Sequence, residues 1–76
     1  MSPNDIRKLV DQQPFQPFRI HLADGKALDV HDPAYIIVTK FAIMLGEDFD
    51  DDGWPTSGRY VNIRQITQIE TLPTAA

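Results

Sequence analysis

F-R-I-H-L-A-D-G-K-A-L-D-V, Phe18 to Val30, is the stretch on which the fold turns. Phe18, Ile20 and Leu22 alternate with Arg19, His21 and Ala23, the two-residue period of a strand with one buried face. Leu28 and Val30 resume the pattern after Asp24-Gly25. A two-residue Asp-Gly loop would set Ile20 opposite Asp29 and mix core with solvent. A three-residue loop, Ala23-Asp24-Gly25, sets Phe18 opposite Val30 and Ile20 opposite Leu28. Only the second register keeps one face apolar. It requires Gly25 in the left-handed conformation of a bulge-type turn, and it places Arg19 opposite Asp29 on the outer face.

On the N-terminal side, Ser2 caps a helix that opens on Pro3, with Asp5 in the first turn. Ile6, Leu9, Val10 and Gln13 share one face at helical spacing. Pro14 disfavours helix at Gln13, so the helix is expected at about residues 3–13. A helix this short needs an apolar surface to dock on. Q-P-F-Q-P-F, Gln13 to Phe18, then reads as a stiff connector whose two Phe rings anchor the helix to the sheet.

On the C-terminal side, Asp32-Pro33 interrupts the second strand. Nine of the eleven residues from Tyr35 to Leu45 are apolar, which calls for burial on both faces. One face can lie on the sheet's own core; the other needs the N-terminal helix or a second copy of the chain. Glu47 to Gly58 reads as an acidic loop. Arg59–Ile63 alternates as a strand. Ile63, Ile66, Ile69 and Leu72 recur every third residue, which suits a helix, but their β-branched density favours a turn at Arg64-Gln65 and a last strand at 67–71. Strands are thus expected near 18–23, 26–31, 35–39, 41–46, 59–63 and 67–71, and Pro73 to Ala76 are expected to fray. The fold class is α+β: one domain, 1–76, with an N-terminal helix on a strongly bent antiparallel sheet of five or six strands, either closing toward a small barrel or open and completed by a second chain.

With 76 residues and no Cys, neither a disulfide nor a thiolate metal site staples the fold, although 42% hydrophobic content suffices for a core. No stretch reaches the ~18–20 apolar residues of a membrane span and no apolar signal region opens the chain, so a cytoplasmic location is expected. Five of the eleven acidic residues lie between Glu47 and Asp52, so the net charge of −4 is a local feature. The seven basic residues are scattered and give no electrostatic footprint for nucleic acid.

Asp48, Asp50, Asp52 and Gly53 match the first half of a calcium loop, but Arg59 stands where that loop needs its bidentate Glu and Pro55 falls within it. The run reads as a solvated loop, or at most a weak divalent-cation site. Trp54 either folds over the edge of the core or serves as a partner-binding hot spot beside a charged rim. Tyr35, Trp54, Tyr60 and Arg64 are the candidate interaction residues. Ser2, Ser57 and the Thr residues lack a paired base, and the nucleotide and nucleophile motifs G-x-S-x-G, G-x-G-x-x-G and the P-loop are absent. No catalytic residue and no cofactor is assigned. The function expected is a non-enzymatic module that binds a protein partner or its own copy.

The block P-F-Q-P-F-R-I-H-L-A-D-G, Pro14 to Gly25, with the closing I-x-x-I-x-x-I-E, resembles a group of small bacterial proteins of unknown function. The resemblance covers most of residues 5–72, with Glu47–Gly58 as an insertion, and implies no activity. At fold level the order of elements is similar to the Sm-like and SH3-like small barrels. The Lys-His pair of the Sm-like RNA chaperones is missing, since Ile63-Arg64-Gln65 stands in its place. An Sm-like binder of RNA or single strands, using Arg19, Arg59, Arg64 and Tyr60, is one alternative function; a cation-binding regulator acting through Glu47–Asp52 is the other.

Overall fold

Phe18 pairs with Val30, Arg19 with Asp29 and Ile20 with Leu28 in the computed structural model, which describes residues 1–73. The strands are β1 (Phe18–Leu22) and β2 (Ala27–Val30). They are joined by Ala23-Asp24-Gly25, with the Leu22 N–H donating to the Lys26 carbonyl at 2.9 Å. Gly25 has φ +88°, the mirror-image bend that the alternation demands. The Lys26 N–H is held by the Asp24 carboxylate at 2.9 Å. Phe18, Ile20, Leu22, Leu28 and Val30 are all buried.

Outside this hairpin the order is α1 (Pro3–Val10) before it, then a 3-10 turn (Pro33–Tyr35), β3 (Ile36–Val38), β4 (Ala42–Phe49), β5 (Pro55–Asn62), a second 3-10 turn (Ile63–Gln65) and β6 (Ile66–Thr71). The strands form two three-stranded antiparallel sheets, β2-β1-β6 and β3-β4-β5. The architecture is α+β, and the sheets do not close into a barrel. At both corners a 3-10 turn interrupts the ladder. Asp32 caps the first, accepting from the Ala34 N–H at 2.9 Å, and Asn62 caps the second, accepting from the Arg64 N–H at 2.9 Å. Backbone groups used in these turns are not free to extend a sheet around the corner.

One hydrophobic cluster lies between the sheets, drawing Ile36, Ile43, Leu45 and Val61 from one and Ile20, Val30 and Ile66 from the other. The period of three at the C-terminus is resolved by a bulge: Leu22 faces Ile66 while Ile20 faces Ile69, so one extra residue lets both isoleucines turn inward. The segment is therefore a strand after a short turn. Expectations for residues 74–76 lie outside the described residues.

The helix is capped reciprocally. Ser2 Oγ accepts from the Asp5 N–H at 3.3 Å, and the Asp5 carboxylate accepts from the Ser2 N–H at 3.1 Å. Ile6 is wholly buried in the cluster. The helix ends at Val10, earlier than the sequence suggested, because Asp11, Gln12 and Gln13 are exposed and offer no apolar side chain to hold another turn. Phe15 packs against the core, its ring centroid 6.0 Å from that of Phe18.

On the outer face of the first sheet, Arg19 grips Asp29 with two hydrogen bonds of 2.7 and 3.1 Å. The hydrogen bond from Arg19 holds the Asp29 carboxyl below its usual value, with the Arg19 charge helping against partial burial. A depressed folded value means that the pair stabilises the fold above the unfolded carboxyl's range near 3.8, and that this contribution is lost as pH falls through the lower folded value. Urea unfolding at pH 7 and pH 2 should show a smaller acid-induced loss for Asp29→Asn than for wild type. An equal loss would mean that the pair does not couple to folding.

Candidate interaction surface

The longest pairing in the molecule is the β4–β5 hairpin, in register from Ala42↔Asn62 to Phe49↔Pro55. Its root lies in the core through Ile43, Leu45 and Val61. Its distal half extends past the core. The inward face there becomes polar: Arg59 donates to Glu47 at 2.9 Å, and Ser57 Oγ donates to Asp48 Oδ2 at 2.6 Å.

This corrects the expected acidic loop at 47–58. Most of that stretch is strand, and only the tip is a turn. Asp50 builds the tip: its N–H donates to the Trp54 carbonyl, and its Oδ1 accepts from the N–H groups of Asp52 (3.0 Å) and Trp54 (2.9 Å). Gly53 has φ +85°, and Asp48 is left-handed at φ 57° with its carbonyl accepting from the Thr56 hydroxyl. Pro55 is tolerated because it opens an edge strand. Asp50→Ala should lower stability by about 1 kcal/mol, seen as an earlier urea midpoint, while Asp51→Ala should be neutral. Equal effects would contradict the role given to Asp50.

Of the carboxylates that matched a calcium loop, Asp48 and Asp50 are hydrogen-bonded within the hairpin. Asp48, Asp50 and Asp52 do not converge, and no group of three or more His, Asp or Glu side chains that could hold a metal ion occurs among the described residues. Trp54 does not fold over the core; it is 71% exposed at the tip. Tyr35 secures the hairpin from outside, its ring 4.6 Å edge-on from Phe49 and its hydroxyl donating to the Gly53 carbonyl at 3.2 Å. Arg64 sits apart, in a shallow hollow with Lys40 and Phe41 at the second corner.

The outer face of β3-β4-β5 carries a cross-strand apolar row. Ile37 lies opposite Met44, and Met44 opposite Tyr60, exposed by 59%, 45% and 67%. Beside it, Gly46 lies opposite Gly58. These two glycines floor a groove of about 450 Å³ walled by Tyr35, Ile37, Met44, Pro55 and Tyr60. Gly46 is required for this close approach, because a Cβ there would meet the Pro55 Cβ at 3.0 Å. Tyr35 and Tyr60 were visible as candidates from sequence. Ile37, Met44 and the glycine pair were not, although the doubly apolar Tyr35–Leu45 run signalled that one of its faces would lack cover.

Comparison with known proteins adds no relative: no family model, curated protein or solved structure matches the chain. Neither the resemblance to small bacterial proteins nor that to Sm-like barrels gains support from it. No helix among the described residues is long and apolar enough to cross a membrane.

Proposed function

We propose that this chain is a non-enzymatic, self-associating interaction module that uses its β3-β4-β5 sheet. The observation that carries this reading is the apolar row Ile37–Met44–Tyr60, which runs without interruption to β5, and β5 borders β4 alone. The N-terminal helix, one of the two expected covers for the doubly apolar segment, spends its buried residue Ile6 on the core and leaves this row exposed. A second copy is the remaining expected partner, and the open edge of β5 beside this row is where it can join the sheet. The groove is lined mainly by apolar side chains, two tyrosines and glycine, with Arg59 its one charged residue and no nucleophile paired to a base among them, which favours binding over chemistry.

The alternatives draw less support. A nucleic-acid surface needs free cations, yet Arg19 is bound to Asp29 and Arg59 to Glu47. A cation regulator needs convergent carboxylates, and those of the hairpin are engaged separately.

Light scattering from micromolar to millimolar protein tests the proposal. The apparent mass should rise from 8.6 kDa toward twice that value as concentration increases. A constant 8.6 kDa up to millimolar protein would overturn it.

A further inference from the structure

The geometry points to a specific partner arrangement: a second copy of this chain adds its β5 antiparallel to the first, with Gly58 opposite Gly58 of the other copy on a two-fold axis, forming a continuous six-stranded sheet. This rests on the self-association proposed above and names its surface and register.

Four strands border the sheets, and three of them are blunted. β3 has three residues, β2 has four and runs into Pro33, and β6 carries Glu70 and ends just before Pro73. β5 has eight residues, with its only proline in the first position. It has no interior proline and no lysine, and its one inward-pointing charge, Arg59, is paired with Glu47.

The direction of its free backbone groups follows from the ladder. The Ile63 N–H donates to the Phe41 carbonyl at 2.9 Å, and the register is constant from there to Glu47↔Ser57. Antiparallel alternation then directs the amides of Val61, Arg59 and Ser57 to β4. Those of Tyr60, Gly58 and Thr56 face the open edge. The Asn62 N–H agrees with this phase, since it is held by the Gln65 side chain at 3.3 Å and not by β4.

A two-fold pairing of β5 must centre on a residue, because opposed side chains share a face. Centring on Gly58 matches Thr56 with Tyr60 of the other copy on both sides and uses all three outward residues, for six backbone hydrogen bonds. It also sets Arg59, held by Glu47 of its own copy, opposite Ser57 of the other copy, whose hydroxyl is bonded to Asp48. Centring on Arg59 would oppose two like charges instead. At Gly58 two backbones meet without side chains, and each Tyr60 lies beside Thr56 of the other copy. Five paired residues make a seam only about 17 Å long, too narrow a strip of contact to bury the roughly 800 Å² per partner of a stable interface. The dimer is therefore weak and concentration-dependent.

Engineered thiols test the register cleanly, because the chain has no cysteine. A side chain fits at Gly58, where a Cβ meets nothing closer than the Leu45 carbonyl oxygen at 3.6 Å. With diamide as oxidant at high protein concentration, Gly58→Cys should cross-link to a disulfide dimer. Thr56→Cys alone should not, whereas a mixture of Thr56→Cys and Tyr60→Cys should give mixed dimers. Gly58→Pro removes an outward N–H and leaves the β4 ladder intact, so it should keep the wild-type circular dichroism and stay at 8.6 kDa where wild type doubles its mass. Doubling of wild type together with cross-linking by Thr56→Cys alone, no cross-linking by Gly58→Cys, or a dimeric Gly58→Pro would overturn the register while the self-association stands. Masses beyond two copies would indicate head-to-tail pairing and overturn the two-fold arrangement. A wild type that stays monomeric would defeat the broader proposal instead. If Gly58→Pro fails to fold, the thiol series decides alone.

Discussion

Ile20→Asp is expected to leave no folded protein at 25 °C, while His21→Gln, one residue further on, should unfold within about 1 kcal/mol of wild type. Ile20 is wholly buried, facing Leu28 and Ile69 across its two neighbouring strands. Removing its side chain alone costs about 2–5 kcal/mol. Burying an unpaired carboxylate adds several more. A 76-residue domain has only about 4–11 kcal/mol to lose. His21 points the other way, to the exposed face, where its ring lies 2.9 Å from Glu70. Circular dichroism with urea titration of both variants reads the difference. A folded Ile20→Asp, or an equally damaging His21→Gln, would mean that the alternation from Phe18 does not set the buried face.

Gly25→Val should destabilise by about 1–3 kcal/mol, because φ +88° is strained for a β-branched residue. For a domain of this size each kcal/mol lowers Tm by about 4–8 °C. No neighbour contributes to the effect, since a Cβ at this position meets nothing within 4 Å. Gly25→Asn should therefore be milder, as Asn enters the left-handed region more readily. Thermal unfolding of the two variants separates backbone strain from crowding. Equal losses for Val and Asn would point away from a left-handed requirement.

Legibility in the sequence follows burial. β1, β2 and their three-residue turn could be read because every second side chain enters the core, so a slip of one residue would expose the whole set. The same holds for Ser2 and Asp5, whose spacing alone defines the cap. The β4–β5 hairpin could not be read beyond Gly46. Past that point both of its faces are wet or polar, so no alternation marks it as strand, and five acids with Gly53, Pro55, Ser57 and Gly58 look like loop. Its pairing is carried by the ladder itself, by Arg59–Glu47 and by Asp50 at the tip. Trp54 was misplaced for the same reason: a hairpin that outruns the core carries its tip residue into solvent. Among the candidate interaction residues, Tyr35 and Tyr60 share one groove because Tyr35 flanks β3 and Tyr60 lies on β5, two strands across. Arg64 is held in a turn at another corner, a placement that depends on the three-dimensional path and leaves no local mark.

Amide hydrogen exchange resolved by residue, at micromolar and at millimolar protein, reaches the β5 edge most directly. Arg59 and Val61 should be protected at both concentrations, since their N–H groups bond β4. Gly58 and Tyr60 should exchange freely in dilute protein and become protected as it is concentrated. If the amides of Gly58 and Tyr60 exchange equally fast at both concentrations, the edge stays open to water and pairing through β5 is contradicted.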